Sequence, residues 1–288
     1  MHAFWYLVGF IVPLTVLVSA ALGGIYSFLT PVVVFALTPV IDELLPKATD
    51  NLDADGSKSA LDNAWYDVIV RAWVPVQLGT MVYALWRLTT ADFQWYEMAG
   101  VILSTGILGG TGINVAHELM HRKGKLDRAL AELLTWFVTY THFCVEHVYG
   151  HHKQVATPND PATAQYGETV YAFLPKSLLG GVKSFWHIET NLIARRKTTT
   201  AWYHDRRIRY TLELLLSYGA VAYFTGWAGV LMWAAFGLIA SVMLEVINYL
   251  EHYGLERKEV KAGKYERVQP HHSWSSSHRL TGLLLFGL

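Results

Sequence analysis

Residues 212–250 read LELLLSYGAVAYFTGWAGVLMWAAFGLIASVMLEVINYL. The stretch contains two apolar runs, about Leu212–Trp227 and Gly229–Leu250, with almost no sequence between them. Because the hydrocarbon core of a bilayer needs roughly 20 apolar residues per helix, each run is close to the length of one membrane span. The stretch therefore predicts two membrane helices that form a tight hairpin.

Four more apolar runs precede this pair, so we predict an all-α, polytopic membrane bundle of six transmembrane helices. These runs are about Phe4–Leu22, Ile25–Ile41, Val68–Leu88 and Trp95–Ala116. The stretch Leu130–Phe143 is apolar but too short for a seventh span, and we interpret it as a helix buried against the bundle or lying at the interface.

We predict a single membrane domain, 1–288, that has four parts along the sequence. The first four transmembrane helices occupy 1–116, and a cytoplasmic or interfacial histidine-rich region occupies 117–210. The last two helices occupy 211–250, and 251–288 forms a cytoplasmic C-terminal segment. The run at 4–22 lacks a basic n-region, which favours a membrane helix over a cleavable signal peptide.

The amino-acid composition argues against a nucleic-acid partner and against sites built from cysteine. Hydrophobic residues make up 52% of the 288 residues, and the formal net charge is zero, which makes nucleic acid an unexpected partner. The single cysteine, Cys144, excludes an intrachain disulfide and a Cys-rich metal site.

The basic residues predict which side of the membrane carries the polar regions. With six spans, residues 42–63, 117–210 and the C-terminal segment share one side. All but four of the 23 lysines and arginines lie at or after Arg122, on that side. The positive-inside tendency then places that side in the cytoplasm.

Histidines cluster where the predicted helices leave the membrane. His117 and His121, in HELMH, are four residues apart and share one helix face. In EHVYGHH, His147 and His151 form a second pair of that spacing, and His152 points to a further position. The last apolar run ends in NYLEHYG, which contains His252. All three groups fall on the predicted cytoplasmic side.

Six clustered imidazoles exceed the needs of one metal, because structural zinc takes four ligands and catalytic zinc takes three from the protein. Neutral imidazole suits iron, copper, nickel and zinc, and we favour two iron ions as cofactors. The neighbouring carboxylates and two later histidines are possible additional ligands or orienting groups: Glu118, Glu146, Glu251, His272 and His278. We interpret His2, His142, His187 and His204 as residues without a metal.

These motifs resemble the membrane-bound alkane 1-monooxygenases of the fatty-acid-desaturase-like superfamily. The resemblance rests on HELMH, on EHVYGHHKQVATPNDPATA, on NYLEHYGL and on PHHSWSS, and covers nearly the whole chain. It implies hydroxylation of the terminal methyl of medium- to long-chain n-alkanes with O2 in the bacterial inner membrane. It also implies a di-iron centre and electrons from rubredoxin, which rubredoxin reductase reduces. The implied iron ligands are His117, His121, His147, His151, His152 and His252.

One departure from the family pattern concerns the end of the sequence. The family continues with a box resembling LQRHxDHH, which supplies further ligands, whereas this sequence stops at Leu288. We expect that the chain is truncated before that box.

Several alternatives stay open on the sequence alone. A related xylene monooxygenase, or a fatty acyl desaturase or hydroxylase, shares the superfamily. HELMH also fits the zinc-protease pattern HExxH, in which Glu118 would be the general base. A non-catalytic membrane protein that binds metal is a third alternative.

Two features of the sequence each allow two interpretations. The glycines of the fourth run either leave room for an alkyl chain or allow close helix packing; they are Gly106, Gly109, Gly110 and Gly112. The lysines and arginines between 195 and 209 either dock an acidic electron donor or anchor the chain to anionic lipid.

Overall fold

The computed structural model describes residues 3–47, 64–196 and 201–286. The chain folds into two compact units. The first unit comprises Met1–Thr139, Tyr218–Ala240 and Ser277–Leu288, and the second comprises Tyr140–Ser217 and Ser241–Ser276.

Within the described residues, five helices are long and apolar enough to cross a membrane, which confirms the predicted helical membrane fold. They are α1 (Ala3–Leu22), α2 (Gly24–Leu44), α3 (Ala64–Thr90), α4 (Trp95–His121) and a fifth, α7 (Arg206–His252). The first two contain 3-10 and π-helical turns as well as α-helix. Each of the first four begins and ends within a few residues of its predicted run, apart from the last turn of α4, which carries the histidine pair. The polar loop at 48–63 lies outside the described residues.

Helix α7 covers both of the last two apolar runs. An unbroken helix of its 47 residues would be roughly 70 Å long, more than twice the roughly 30 Å of a bilayer core. Its path is broken at Gly226, which has φ +67° and ψ −170°. This backbone conformation is one that glycine adopts without steric cost. The break lies one residue before the predicted end of the fifth run, and the count of six spans stays a prediction.

Two glycines of α4 sit at close helix contacts within the first unit. A Cβ at Gly106 would lie 2.5 Å from the Cβ of Ile239, and one at Gly109 would lie 2.8 Å from Cγ1 of Val138. These positions are filled by neighbouring side chains, so they leave no room for an alkyl chain. The packing interpretation of these glycines is therefore the correct one here.

This packing predicts opposite effects of alanine at two glycines. Gly106→Ala is expected to lower the stability of the first unit by about 1–3 kcal/mol, the usual cost of overpacking, because the added methyl overlaps Ile239. Gly79→Ala is the matched control, since a Cβ on this helix residue meets nothing within 4 Å. It is expected to be neutral or to stabilise α3 by up to about 1 kcal/mol. Thermal unfolding in detergent measures both, and equal shifts would contradict the assignment.

The short apolar stretch Leu130–Phe143, which was predicted to pack on the bundle or lie at the interface, falls largely in a short helix, α5 (Lys125–Phe137). It ends just before Thr139, which has φ +60°. Arg71 of α3 donates from Nε to Oδ1 of the buried Asp127 at 2.7 Å, which ties α5 to the bundle within the first unit. The stretch is therefore a helix packed on the bundle, as one of the two predicted alternatives required, and is not a seventh span.

The second unit is built around helix α6 (Val170–Ala194) and the start of α7. Its apolar core includes Val145, Phe185 and Tyr210, with Ile188 packed against them. The buried carboxylate of Glu189 accepts from Nε of Arg206 at 2.9 Å, so the end of α6 is tied to the first turn of α7. A small hairpin, β1 (Glu259–Lys261) with β2 (Lys264–Tyr265), also belongs to this unit, whereas the last helix, α8 (Arg279–Leu284), belongs to the first unit.

Candidate metal centre

The pair at the end of α4 lies in the first unit. The ring centroids of His117 and His121 are 4.7 Å apart, and their candidate ligand atoms lie within 4.8 Å of each other. A spacing of four residues on an α-helix produces this proximity. The pair can therefore offer two nitrogens to one ion.

The carboxylate between these histidines has a different partner. Arg122 donates from Nε and Nη2 to Oε1 of Glu118, at 3.1 and 3.0 Å, and from Nη1 to Asp67 at 2.6 Å. This ion-pair network fixes the end of α4. A general base in an HExxH protease must face a metal-bound water, whereas Glu118 is engaged by Arg122, which counts against the protease alternative.

The second histidine group forms a π-helical turn in the second unit. The chain runs through short helices Phe143–Glu146 and His152–Gln154, with the π-turn His147–His151 between them. We call this segment the histidine turn. π-turns interrupt α-helices frequently at functional sites, and their spacing brings residue i close to i+5.

The π-turn changes the predicted pairing of these histidines. The expected partner of His147 was His151, but their rings are 5.2 Å apart, whereas His147 and His152 are only 4.4 Å apart. The ligand atoms of His147 and His152 lie within 4.8 Å of each other. The rings of His147 and His151 stack, and His152, which was predicted to point to a further position, lies closer to His147 because the turn is π-helical. Which of these histidines share a metal stays a prediction.

His151 pairs instead with His252, at a ring distance of 4.9 Å. Both rings are buried, and both belong to the second unit. The four histidines of this unit thus form two adjacent pairs, His147 with His152 and His151 with His252.

Asp160 orients His151. Its Oδ2 lies 2.9 Å from Nδ1 of His151, and Oγ1 of Thr163 donates to the same oxygen at 2.6 Å. An ionised carboxylate can only accept, so Nδ1 carries the proton and Nε2 keeps its lone pair for a metal. Carboxylate–histidine–metal triads of this kind are typical of metal sites.

The electrostatics of this pair favour a bound cation. Burial lowers the pKa of His151, but the charge and hydrogen bond of Asp160, together with the charges of Glu146 and Glu245, outweigh it, so the pKa is raised from its usual value. Burial raises the pKa of Asp160, but the His151 ring and further hydrogen bonds outweigh it, so that pKa is lowered. The buried carboxylate of Asp160 stabilises positive charge at the His151 ring, whether a proton or a metal ion carries that charge. Sequence reasoning missed Asp160, although it lies inside the ATPNDPAT motif.

His252 is oriented by a backbone carbonyl. Its Nδ1 lies 3.3 Å from the carbonyl oxygen of His272, so this nitrogen is the donor and Nε2 faces away from that contact. The side chain of His272 accepts from the backbone N–H of Gln269 at 2.9 Å. His272, a predicted possible ligand, therefore contacts the cluster through its carbonyl oxygen.

A small polar cavity of about 10 Å³ borders the histidine turn within the second unit. Glu146, His142, His147 and His151 line it. Burial raises the pKa of Glu146 to about 7, and its Oε1 accepts from Ser184 at 3.0 Å. Burial lowers the pKa of His142 to about 4, so this ring is neutral.

Glu245 lines the same cavity and was not predicted. This buried carboxylate accepts from the hydroxyl of Tyr140 at 2.6 Å, from the hydroxyl of Ser177 and from Nδ2 of Asn248 at 3.3 Å. An ionisable residue within an apolar run is a functional candidate by default, and that signal was present in the sequence.

Of the remaining predicted residues, Glu251 lies beside the cluster, and the other described ones lie away from it. His278 belongs to the first unit, where its Nε2 lies 3.1 Å from Oε1 of Glu43. Glu251 is part-exposed, with an oxygen 3.8 Å from Nε2 of His252. His187 and His204 are exposed, and His2 lies outside the described residues.

The donor set fits a metal that prefers nitrogen. Within the second unit, four imidazoles have ring distances between 4.4 and 6.0 Å along the histidine turn and to His252. Two of them, His151 and His252, have Nδ1 directed at an oxygen acceptor, which leaves Nε2 for a metal. Iron, copper, nickel and zinc all accept such ligands.

Comparison with known proteins decides the family. Residues 93–288 match the family described as fatty acid desaturase. The chain is 35% identical over 260 residues to alkane 1-monooxygenase 2 of Pseudomonas aeruginosa, covering 89% of this chain and 69% of that protein. The chain belongs to the alkane 1-monooxygenase family. The resemblance inferred from the histidine motifs is thereby confirmed.

Other relatives agree with this assignment. An alkane 1-monooxygenase of Acinetobacter baylyi is 36% identical over 277 residues, covering 93% of this chain and 64% of that protein. The xylene/toluene monooxygenase hydroxylase component of Pseudomonas putida is 31% identical over 261 residues, covering 88% and 66%. The chain thus spans about two thirds of the length of the curated relatives it matches.

Proposed function

We propose that this chain is a membrane hydroxylase that converts the terminal methyl of medium- to long-chain n-alkanes into 1-alkanols with O2. The observation that carries the proposal is the cluster of four histidines in the second unit, in which His147 lies beside His152 and His151 lies beside His252. Asp160 bonds Nδ1 of His151 and orients its ring. Relatives named alkane 1-monooxygenase support the reaction class.

We infer that the cofactor is a non-haem di-iron centre. Its proposed ligands are the six histidines derived from the motifs: His117, His121, His147, His151, His152 and His252. The two pairs of the second unit support two metal positions. When bound, such a centre supplies oxygen activation and attack on the C–H bond, the chemistry that side chains alone do not perform.

The chain's own residues orient the ligands and exclude water. Asp160 and the carbonyl of His272 hold the rings of His151 and His252 with Nε2 available. Burial of His147, His151 and His252 keeps bulk water away from the reacting position. An alkane dissolves in the bilayer, so a membrane enzyme receives its substrate without carrying it through water.

The proposed electron donor is rubredoxin, reduced in turn by rubredoxin reductase. The basic segment 195–209 was predicted either to dock this donor or to anchor the chain to anionic lipid, but three of its arginines have ion-pair partners. Arg206 binds Glu189, Arg207 binds Asp205, and Nε of Arg209 lies 3.9 Å from Glu213. Arg195 and Arg196 are exposed and remain candidates for docking, while Lys197 lies outside the described residues.

The proposed location is the bacterial inner membrane, with the metal centre on the cytoplasmic side. The five candidate membrane helices in the described part of the chain support an integral membrane protein. The excess of basic residues at and after Arg122 supports the cytoplasmic placement.

A second candidate is hydroxylation of an alkyl-aromatic compound, which the likeness to the xylene/toluene monooxygenase component favours. Fatty acyl desaturation or hydroxylation is a further alternative within the fatty acid desaturase family. The three differ in substrate, so one assay separates them.

The proposal is tested by metal counting and product analysis. The full chain is purified in detergent, and iron and zinc per polypeptide are measured by mass spectrometry. It is then reconstituted in lipid with O2, reduced rubredoxin and its reductase, and supplied separately with n-octane, n-hexadecane, p-xylene or a fatty acyl thioester. We expect two irons and the 1-alkanol. One zinc or no specific metal would refute the di-iron centre, and products from only p-xylene or the thioester would refute the alkane specificity.

A further inference from the structure

Helix α6 of the second unit has one side in the core and another side open. Its buried positions follow a helical spacing of four residues: Phe173, Ser177, Gly181, Phe185 and Glu189. At 25 residues it is long enough to span a bilayer, but it is not among the candidate membrane helices of the described chain. Its open side therefore needs a different explanation.

That open side carries a stripe of large apolar side chains. Tyr171 is 85% exposed, Leu179 64%, Val182 45% and Trp186 55%. These residues, with the exposed Pro175 between the first two, are spaced by four, four, three and four positions, so they share one face of the helix. We call them the α6 stripe. A contiguous exposed apolar surface of this kind marks an interaction site.

The α6 stripe continues into the surface of a membrane helix. The guanidinium of Arg207, in the first turn of α7, lies 5.2 Å from the ring centroid of Trp186. Farther along the start of α7, the side chains of Ile208, Leu212 and Leu215 are 41–65% exposed. Because α7 is a candidate membrane span, its exposed apolar side chains would face lipid, and Trp186 brings the stripe to the first turn of that helix.

The charges beside the α6 stripe are basic. Lys183 is exposed, one position after Val182 and about 100° farther around the helix. Arg195 and Arg196 follow the end of the helix and are also exposed. The only acidic residue between 170 and 194 is Glu189, which is buried against Arg206. An apolar stripe with a basic edge and terminal aromatic rings is the pattern of helices that lie in a membrane interface.

We propose that α6 lies in the bilayer surface on the histidine side of the membrane, with the α6 stripe among the acyl chains and Lys183 at anionic headgroups. The occupant of this face is anionic lipid and not a protein partner. Helix α6 also contributes Ser177 and Ser184, which bind Glu245 and Glu146 beside the histidine turn. Lipid contact would therefore hold the support of that turn at a fixed depth.

The test compares two neighbouring positions in the full chain. Val182→Cys and Lys183→Cys are made in a Cys144→Ser background, spin-labelled and reconstituted in nanodiscs of phosphatidylcholine and phosphatidylglycerol. Collision rates with O2, which concentrates in lipid, and with a water-soluble nickel chelate report the depth of each label. We expect the label at 182 to favour O2 and the label at 183 to favour the chelate. Equal and high access of the chelate to both labels would overturn the proposal.

A second measurement avoids replacing Cys144. Tryptophan fluorescence of the parent chain and of Trp186→Phe is recorded in nanodiscs whose lipids are brominated near the glycerol end of the acyl chain. We expect the quenched intensity per mole of chain, which is the emission in unbrominated nanodiscs minus the emission in brominated nanodiscs, to fall when Trp186 is removed. No change in that difference would mean that Trp186 is not in contact with lipid, which also overturns the proposal. Neither readout depends on bound iron or on the proposed reaction.

Discussion

His151→Ala is expected to remove most of the bound iron and to abolish alkane hydroxylation. His151 lies at the centre of the cluster, because its ring lies beside those of His147 and His252 and bonds Asp160. Loss of a metal ligand should exceed the roughly 10–100-fold that loss of an orienting partner costs in metal affinity or activity. Iron per chain, measured after size-exclusion chromatography, and 1-alkanol formation are the two readouts.

The matched control for this change is His187→Ala. His187 is an exposed histidine on α6, outside the proposed ligand set. The His187→Ala variant should bind as much iron as the parent chain and retain the parent's activity. Circular dichroism of all three proteins verifies that the helices persist. If His151→Ala bound iron with the affinity of the parent, the assignment of His151 as a ligand would be wrong.

Asp160→Asn is expected to weaken metal binding by roughly 10–100-fold without removing a ligand. The carboxylate accepts from Nδ1 of His151 and from Thr163, and its charge stabilises a cation at the ring. An amide of the same shape keeps the volume but loses that charge. It can also present its NH₂ group to Nδ1, which would favour the opposite tautomer.

The control for this prediction is Asn159→Ala, at the exposed neighbouring position. Iron affinity is measured by competition with a chelator of known strength, and activity is measured at saturating iron. We expect Asp160→Asn to recover part of its activity as iron is raised, whereas His151→Ala should not. An unchanged iron affinity in Asp160→Asn would show that the carboxylate serves only to fold the loop.

Much of the membrane architecture could be predicted because it depends on local composition. Each apolar run has to remain helical in lipid, where backbone groups must bond within their own segment. The runs at Phe4–Leu22 and Trp95–Ala116 accordingly start within one residue of the observed helices. The His117–His121 pair was equally local, because four residues on a helix fix its geometry.

Features that depend on distant residues could not be predicted. The α4 glycines could be read as a tunnel or a packing surface until Ile239 and Val138 were placed against them. Asp160 is nine residues from His151, and Glu245 is more than a hundred from Tyr140, so no spacing rule connects either pair. The pairing of His147 with His152 required knowledge that the turn is π-helical.

By itself, the sequence determined that this protein is a helical membrane protein with histidines gathered at helix ends, and it identified the family. Apolar length and four-residue spacing are short-range properties, so they survive without knowledge of the fold. Only the tertiary structure decided which histidines pair, that Asp160 orients His151, and that α6 carries an open apolar stripe. These depend on side chains from separate segments meeting in space, which packing alone arranges.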